Sequence, residues 1–218
     1  VGCGGGQGLN LLSQKADKVF AGDIHRTNTD ICKKTYRNSP KIKILDNLDA
    51  QDLNFKASSV DIIISFELIY YLSDIDRFFF EANRILSKKG HLIICTTNKD
   101  WSDFNRSPFS TKYFSVPELY NKAKSFGFSV NMFGSFPDSH TNITSKLVSI
   151  IKRIVVRLHL MPKTMKGKVL FKKMFLGKMV SMPLVLSEDM FSYESPVPIP
   201  ENEIDRIHTA IFAVCQKI

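Results

Sequence analysis

The sequence predicts an α/β protein built on a doubly wound, mostly parallel sheet. Strand-like runs alternate with helical periodicities through residues 1–98, and two of the runs, 60–66 (VDIIISF) and 91–97 (HLIICTT), are apolar in the manner of strands buried on both faces. A glycine-rich turn opens the first helix. The composition agrees, since 44% hydrophobic and 23% charged residues in a chain of 218 is the balance of a folded protein rather than a disordered one.

Residues 2–8 form the turn and 9–15 begin a helix; 18–23 (KVFAGD) read as a short strand ending in an acid, 27–37 as the next helix, and 41–45 (KIKIL) as an alternating strand. After the strand at 60–66, residues 76–86 place Phe79, Phe80, Ala82, Asn83, Ile85 and Leu86 at helical spacing, and Lys88, Lys89 and Gly90 stop that helix before the strand at 91–97. Strands separated by helices require right-handed crossovers, hence a doubly wound sheet. Residues 99–111 are polar and aromatic without a period, a loop over the carboxyl edge of the sheet. Ser115 and Glu118 spell a capping box with Pro117 in the first turn, so 116–126 is a helix ended by Gly127, followed by a strand at 128–133. Residues 183–200, with four prolines, read as an extended connector, and 209–217 (TAIFAVCQK) as a closing apolar strand.

The net charge of +9 is unevenly spread. Residues 139–187 hold ten Lys or Arg and no Asp or Glu, which leaves 20 basic against 21 acidic residues elsewhere. Within that segment Leu147, Ile150, Ile151, Ile154, Val155 and Leu158 form an apolar stripe opposed by Lys146, Arg153 and Arg157, and 168–180 repeats the mixture. A helical cap follows, whose basic face over 146–180 suits an anionic acceptor or membrane surface; the plainer alternative is a core-facing stripe with solvated lysines. The lysines and arginines interrupt the apolar stretches, so no membrane span is expected. Cys3, Cys32, Cys95 and Cys215 lie far apart without a CxxC pair, which argues for a reducing compartment, against a disulfide scaffold, and for no metal site.

The turn at 1–8 (VGCGGGQG) exposes backbone N–H groups where a ligand can be held. Its spacing excludes two common nucleotide motifs. G-x-G-x-x-G fails because Gln7 or Leu9 stands where the third glycine belongs, and no G-x-x-x-x-G-K-[ST] occurs, whereas Gly2, Gly4 and Gly6 satisfy G-x-G-x-G. Asp23 ends the second strand of the unit, where a carboxylate can take two ribose hydroxyls, with Ile24 offering apolar surface beside a base. Asp49, at the tip of the following strand, suits the exocyclic amine of adenine; either aspartate could instead be an ordinary turn residue.

Taken together, VGCGGGQG, VFAGDI, LDAQDLNF, SSVDIIISFELIYYL, FFFEANRILSKKGHLIICTTN and FSVPELYNKAKSFGFSV resemble, in order and spacing, the class I S-adenosylmethionine-dependent methyltransferases of the small-molecule branch. The resemblance runs over about 1–135 plus the last strand. It implies a Rossmann-like sheet of seven strands, the first lying upstream of Val1 and so missing from this chain, with a helical insertion before a last strand that runs antiparallel between its neighbours. It also implies S-adenosyl-L-methionine as cofactor, Gly2, Gly4 and Gly6 along its methionine part, Asp23 on its ribose, Asp49 and Ala50 on its adenine, and Phe66 with Glu67 where the chain passes beneath it. The organisation expected is a cofactor-binding core at 1–138, a basic helical insertion at 139–200 and a last strand at 201–218 returning to the core. Many relatives carry E-H-L where this chain has Tyr70-Tyr71-Leu72. A phenol is a poor base at neutral pH, so Tyr71 reads first as an aromatic wall. Tyr70, Tyr71, Asn98, Trp101 and His140 are the candidates for the acceptor pocket, Glu81 and Arg84 are read as helix contacts outside the site, and no catalytic base is assigned.

The function expected is methyl transfer to a small-molecule, lipid-linked or glycan-linked acceptor by a cytoplasmic or peripherally membrane-bound enzyme. A protein that keeps the fold but has lost turnover is the alternative. An RNA methyltransferase is disfavoured, because Ser65-Phe66-Glu67-Leu68 stands where an N-P-P-Y-type tetrapeptide would follow the fourth strand and nucleic acid has only the basic charge to recommend it.

Overall fold

The computed structural model of the chain describes residues 1–137, 182–190 and 192–218. Residues 1–137 and 183–218 make one compact unit and 138–182 another. His140 and the basic stretch expected over 146–180 therefore lie outside the described residues. No helix among the described residues is long and apolar enough to cross a membrane.

The first unit alternates helix and strand in chain order: α1 (Leu9–Lys15), β1 (Val19–Asp23), α2 (Arg26–Thr35), β2 (Ile42–Asp46), β3 (Val60–Phe66), α3 (Ile75–Ile85), β4 (Leu86–Thr97), α4 (Val116–Ser125), β5 (Phe128–Pro137), β6 (Val197–Pro198) and β7 (His208–Lys217). Strands β1 and β2 pair in parallel as a two-stranded sheet, and the others form a five-stranded sheet in the order β3-β4-β7-β5-β6. Strand β3 runs parallel to β4, and β7 runs antiparallel to both its neighbours, with Thr97 opposite Ala210 and Phe128 opposite Lys217. The first residues reach both sheets, since the Val1 amine donates to Ile64 O at 2.8 Å and Cys3 N donates to Gly22 O at 3.0 Å.

Helices α3 and α4 each have a local reason to start and a face to bury. Asp74 caps α3 by accepting from Arg77 N at 2.9 Å. Phe78, Phe79, Ala82 and Ile85 then turn inward and are fully enclosed, each large side chain contributing ~1.5–3 kcal/mol relative to exposure. The sequence reading placed Phe80 on that face; it points outward, with the Arg77 guanidinium 5.2 Å from its ring centre, and Phe78 takes the inner position. Both bonds of the capping box form at α4, Glu118 N to Ser115 Oγ and Ser115 N to Glu118 Oε2, and Leu119 and Ala123 bury against the sheet core. Leu86, expected to end the helix, begins β4, and residues 88–90, expected as a helix stop, lie within that strand, with Lys89 in the left-handed region at φ 63°. The proline connector is not wholly irregular, since Val197 and Pro198 pair with β5 and Leu186 N donates to Gln7 O at 2.9 Å.

Candidate functional site

The carboxyl ends of β1 and β3 meet the glycine turn, and the loop after β2 lies against the end of β1. Gly2, Gly4 and Gly6 all have positive φ. At Gly6 a β-carbon would come within 2.7 Å of Cys32 Sγ, so the turn packs on α2, whereas at Gly4 a β-carbon would meet nothing within 4 Å. Gly4 thus combines a left-handed backbone with an open side, the combination a turn needs for a ligand to approach its peptide groups. Gly4 N donates to Asp23 Oδ2 at 2.9 Å, and His25 N donates to Asp23 Oδ1 at 2.9 Å. Asp23 is only 7% exposed, so its first role is to fix the turn; a carboxylate oxygen accepts two bonds, which leaves one lone-pair direction on each for a ligand. Ile24 stands 58% exposed beside it.

Leu48 N donates to Asp23 O at 3.2 Å, which brings the loop after β2 alongside the end of β1. There Asp49 is half-buried, its Oδ1 accepting from Gln51 N at 2.8 Å and from Gln51 Nε2 at 3.1 Å, and Ala50 is buried. At the end of β3, Phe66 is 51% exposed with its ring edge-on to Phe212 at 6.0 Å. Leu68 follows, lying where a β-carbon on Gly2 would meet it at 2.9 Å. The eight residues expected to face the cofactor are therefore brought to one edge of the molecule.

The acceptor candidates divide. Tyr71 is 48% exposed at the same edge, and Trp101 is half-buried in the loop that follows β4. Tyr70 and Asn98 are buried. Tyr70 is buried between Tyr71 and Tyr113, with ring centres at 4.4 and 4.6 Å, and its hydroxyl donates to Glu67 Oε2 at 2.9 Å. Burial and then the Glu67 charge push its phenol well above the ordinary range, so it stays a neutral donor. Asn98 is fully enclosed, its Nδ2 donating to Asp205 O at 2.8 Å and His208 O at 3.0 Å while its Oδ1 accepts from Asp100 N at 3.0 Å. It pins the segment before β7 to the end of β4.

Two features went unread in the sequence. Glu67 has φ 51°, uncommon for a residue with a β-carbon, and its Oε2 also accepts from Thr97 Oγ1 at 2.9 Å, which ties the carboxyl ends of β3 and β4 together. Glu81 and Arg84, read as contacts outside the site, hold the Asp49 loop: Glu81 Oε2 accepts from Leu53 N at 3.0 Å, and Arg84 donates to Leu53 O at 2.7 Å and Phe55 O at 2.8 Å. The signal was present in their i, i+3 spacing, but only the fold shows what the pair grips.

A family model for the methyltransferase domain matches residues 1–94. A protein of Mycobacterium tuberculosis named probable S-adenosylmethionine-dependent methyltransferase is 30% identical over 141 residues, covering 62% of this chain and 50% of its own. Over its first part the chain is thus similar to S-adenosylmethionine-dependent methyltransferases. S-adenosylmethionine is the cofactor of this methyltransferase family. A ubiquinone biosynthesis O-methyltransferase of Pelagibacter ubique is 27% identical over 99 residues, 45% of this chain and 41% of the relative. The methyltransferase fold is shared with an S-adenosylmethionine-dependent methyltransferase of Thermotoga maritima whose crystal structure superposes with a TM-score of 0.61 at 15% identity over 100% of this chain and 80% of that one. The chain spans about half the length of the curated relatives it matches.

Proposed function

We propose that the protein transfers the methyl group of S-adenosylmethionine to a small-molecule acceptor. The observation that carries this is the open left-handed turn at Gly4, whose peptide N–H is fixed by Asp23 beside the Asp49 loop. The cofactor, when bound, supplies an activated methyl on a sulfonium, so the protein has mainly to bind, orient and exclude water. In this reading Gly2, Gly4 and Gly6 lie along the methionine part, the free lone pairs of Asp23 take the ribose hydroxyls, Asp49 takes the adenine amine, and Ile24 and Phe66 exclude water from the flanks. Names among the relatives favour a small molecule. The basic residues of 139–187 extend the proposal to an anionic acceptor, including a lipid-linked or glycan-linked one, met at a membrane surface.

The seam between the two sheets, bridged by Val1 and Cys3, is read as the place of a further strand that would join them; with it, and leaving aside the two-residue edge strand β6, the sheet would have the seven strands expected. Titration calorimetry with S-adenosylmethionine, followed by transfer of labelled methyl to fractionated small-molecule extract, tests the function. Binding in the micromolar range with label in the extract is the expected result, and no binding by the full protein would end the proposal.

A further inference from the structure

Gln51 links the candidate site to α3. Its side-chain carbonyl accepts from Asp74 N at 2.6 Å and from the Ser73 hydroxyl at 3.0 Å, and because both of those are donors, the amide end must turn the other way. That end donates to Asp49 Oδ1 at 3.1 Å, and the Gln51 backbone N–H donates to the same oxygen at 2.8 Å. The protein thus occupies one carboxylate oxygen twice, while Oδ2 is reached by Gln51 only at 3.5 Å. The loop beneath is held by the same helix: Arg77 Nε donates to Gln51 O at 3.2 Å, and the Glu81–Arg84 pair grips Leu53 and Phe55.

We infer that Gln51 is a positioning residue that aims Oδ2 of Asp49, and that this aim makes the protein select a 6-aminopurine over a 6-oxopurine. The inference rests on the reading of Asp49 given above. A carboxylate only accepts hydrogen bonds, so an oxygen aimed at the C6 substituent attracts an exocyclic amine and repels a carbonyl. Discrimination needs the aim, because a carboxylate free to swing could take the N1–H of the 6-oxo ring instead. Sites that pair a substrate N–H with a buried or fixed polar group reject analogues lacking it, whereas loosely held ones do not.

Calorimetry with S-adenosylhomocysteine and S-inosylhomocysteine on the full protein tests this, using Gln51→Ala, Gln51→Glu and Arg84→Lys. The native protein is expected to prefer the adenosyl ligand by about tenfold or more, the scale of one charge-assisted hydrogen bond. Gln51→Ala and Gln51→Glu should cut that ratio at least threefold, and Arg84→Lys should cut it by less. The ratio is unaffected by a partly unfolded sample, which lowers both affinities together. An undiminished preference in Gln51→Ala overturns the inference and leaves the Asp49 reading standing. A native protein without the preference overturns the Asp49 reading and the inference with it.

Discussion

The two carboxylates of the candidate site are held in opposite ways. At the end of β1, Asp23 is buried and both its oxygens accept backbone N–H groups, from Gly4 and His25, so it belongs to the folded turn as much as to any ligand. At the end of β2, Asp49 is half-buried and is steadied within its own loop by Gln51, which is tied in turn to α3. The difference teaches that equivalent strand-end positions need not be equivalent in energy. Replacing Asp23 strands two peptide donors, whereas replacing Asp49 leaves the loop anchored elsewhere.

Asp23→Ala should therefore produce the largest effect. Each lost hydrogen bond to the charged group is worth ~1.5–3 kcal/mol, so the melting temperature should fall by several degrees and cofactor affinity by more than about a hundredfold. An Asp23→Ala protein that melts like the native one while losing only affinity would erase the distinction drawn here. Asp49→Ala should cost about tenfold or more in affinity with a melting temperature within about 2 °C of native, checked by calorimetry and thermal scans on the same samples.

How much of this was legible in the sequence follows the same line between local and distant causes. Strand β3 was placed at its observed bounds because a seven-residue run with five apolar residues needs no partner to be recognised, and the Ser115–Glu118 box was read because both halves lie within one turn. The positions of the carboxylates at 23 and 49 just at or after strand ends were legible from the strands themselves. The burial of Tyr70 and Asn98 was not legible because it is decided from afar: Tyr113 stacks on the one, and Asp205, 107 residues along the chain, closes over the other. The roles of Gln51, Glu81 and Arg84 depend on which backbone α3 lies against, and no periodicity records that. Phe78 and Phe80 sit two residues apart on a helix, and the stripe read from spacing alone ran one position off the face that the sheet covers.

The turn that Asp23 holds allows a finer test. At Gly6→Ala the new methyl meets Cys32 Sγ at 2.7 Å with φ at 77°, so stability should fall by ~1–3 kcal/mol. At Gly4→Ala the space is open, and only the left-handed backbone is penalised, by ~1–2 kcal/mol. Affinity should reverse the order, because the Gly4 methyl occupies the side from which a ligand would come. Urea melts and calorimetry on the two variants check this, and a Gly4→Ala protein of native affinity would place the ligand elsewhere.

The smallest effect expected is a pH dependence confined to the tethered side. The Arg84 guanidinium holds the buried Glu81 carboxyl below the usual carboxylate range, against burial, which pushes it up, and the Leu53 N–H adds to the lowering. A carboxyl whose folded pKa is depressed contributes stability that is present in full above its unfolded value, ~4.3, and is lost as pH falls through the lower folded value. Acidification from pH 5 toward pH 3 should then loosen the grip of α3 on the Asp49 loop. In urea melts across that range the native protein should lose stability more steeply than Glu81→Gln, by at most ~1.4 kcal/mol per pH unit, since one proton is involved. Glu81→Gln should start lower at pH 7, because its amide cannot replace the charge facing Arg84, so the two curves converge on acidification. Parallel curves would show that the Glu81–Arg84 pair contributes no proton-linked stability.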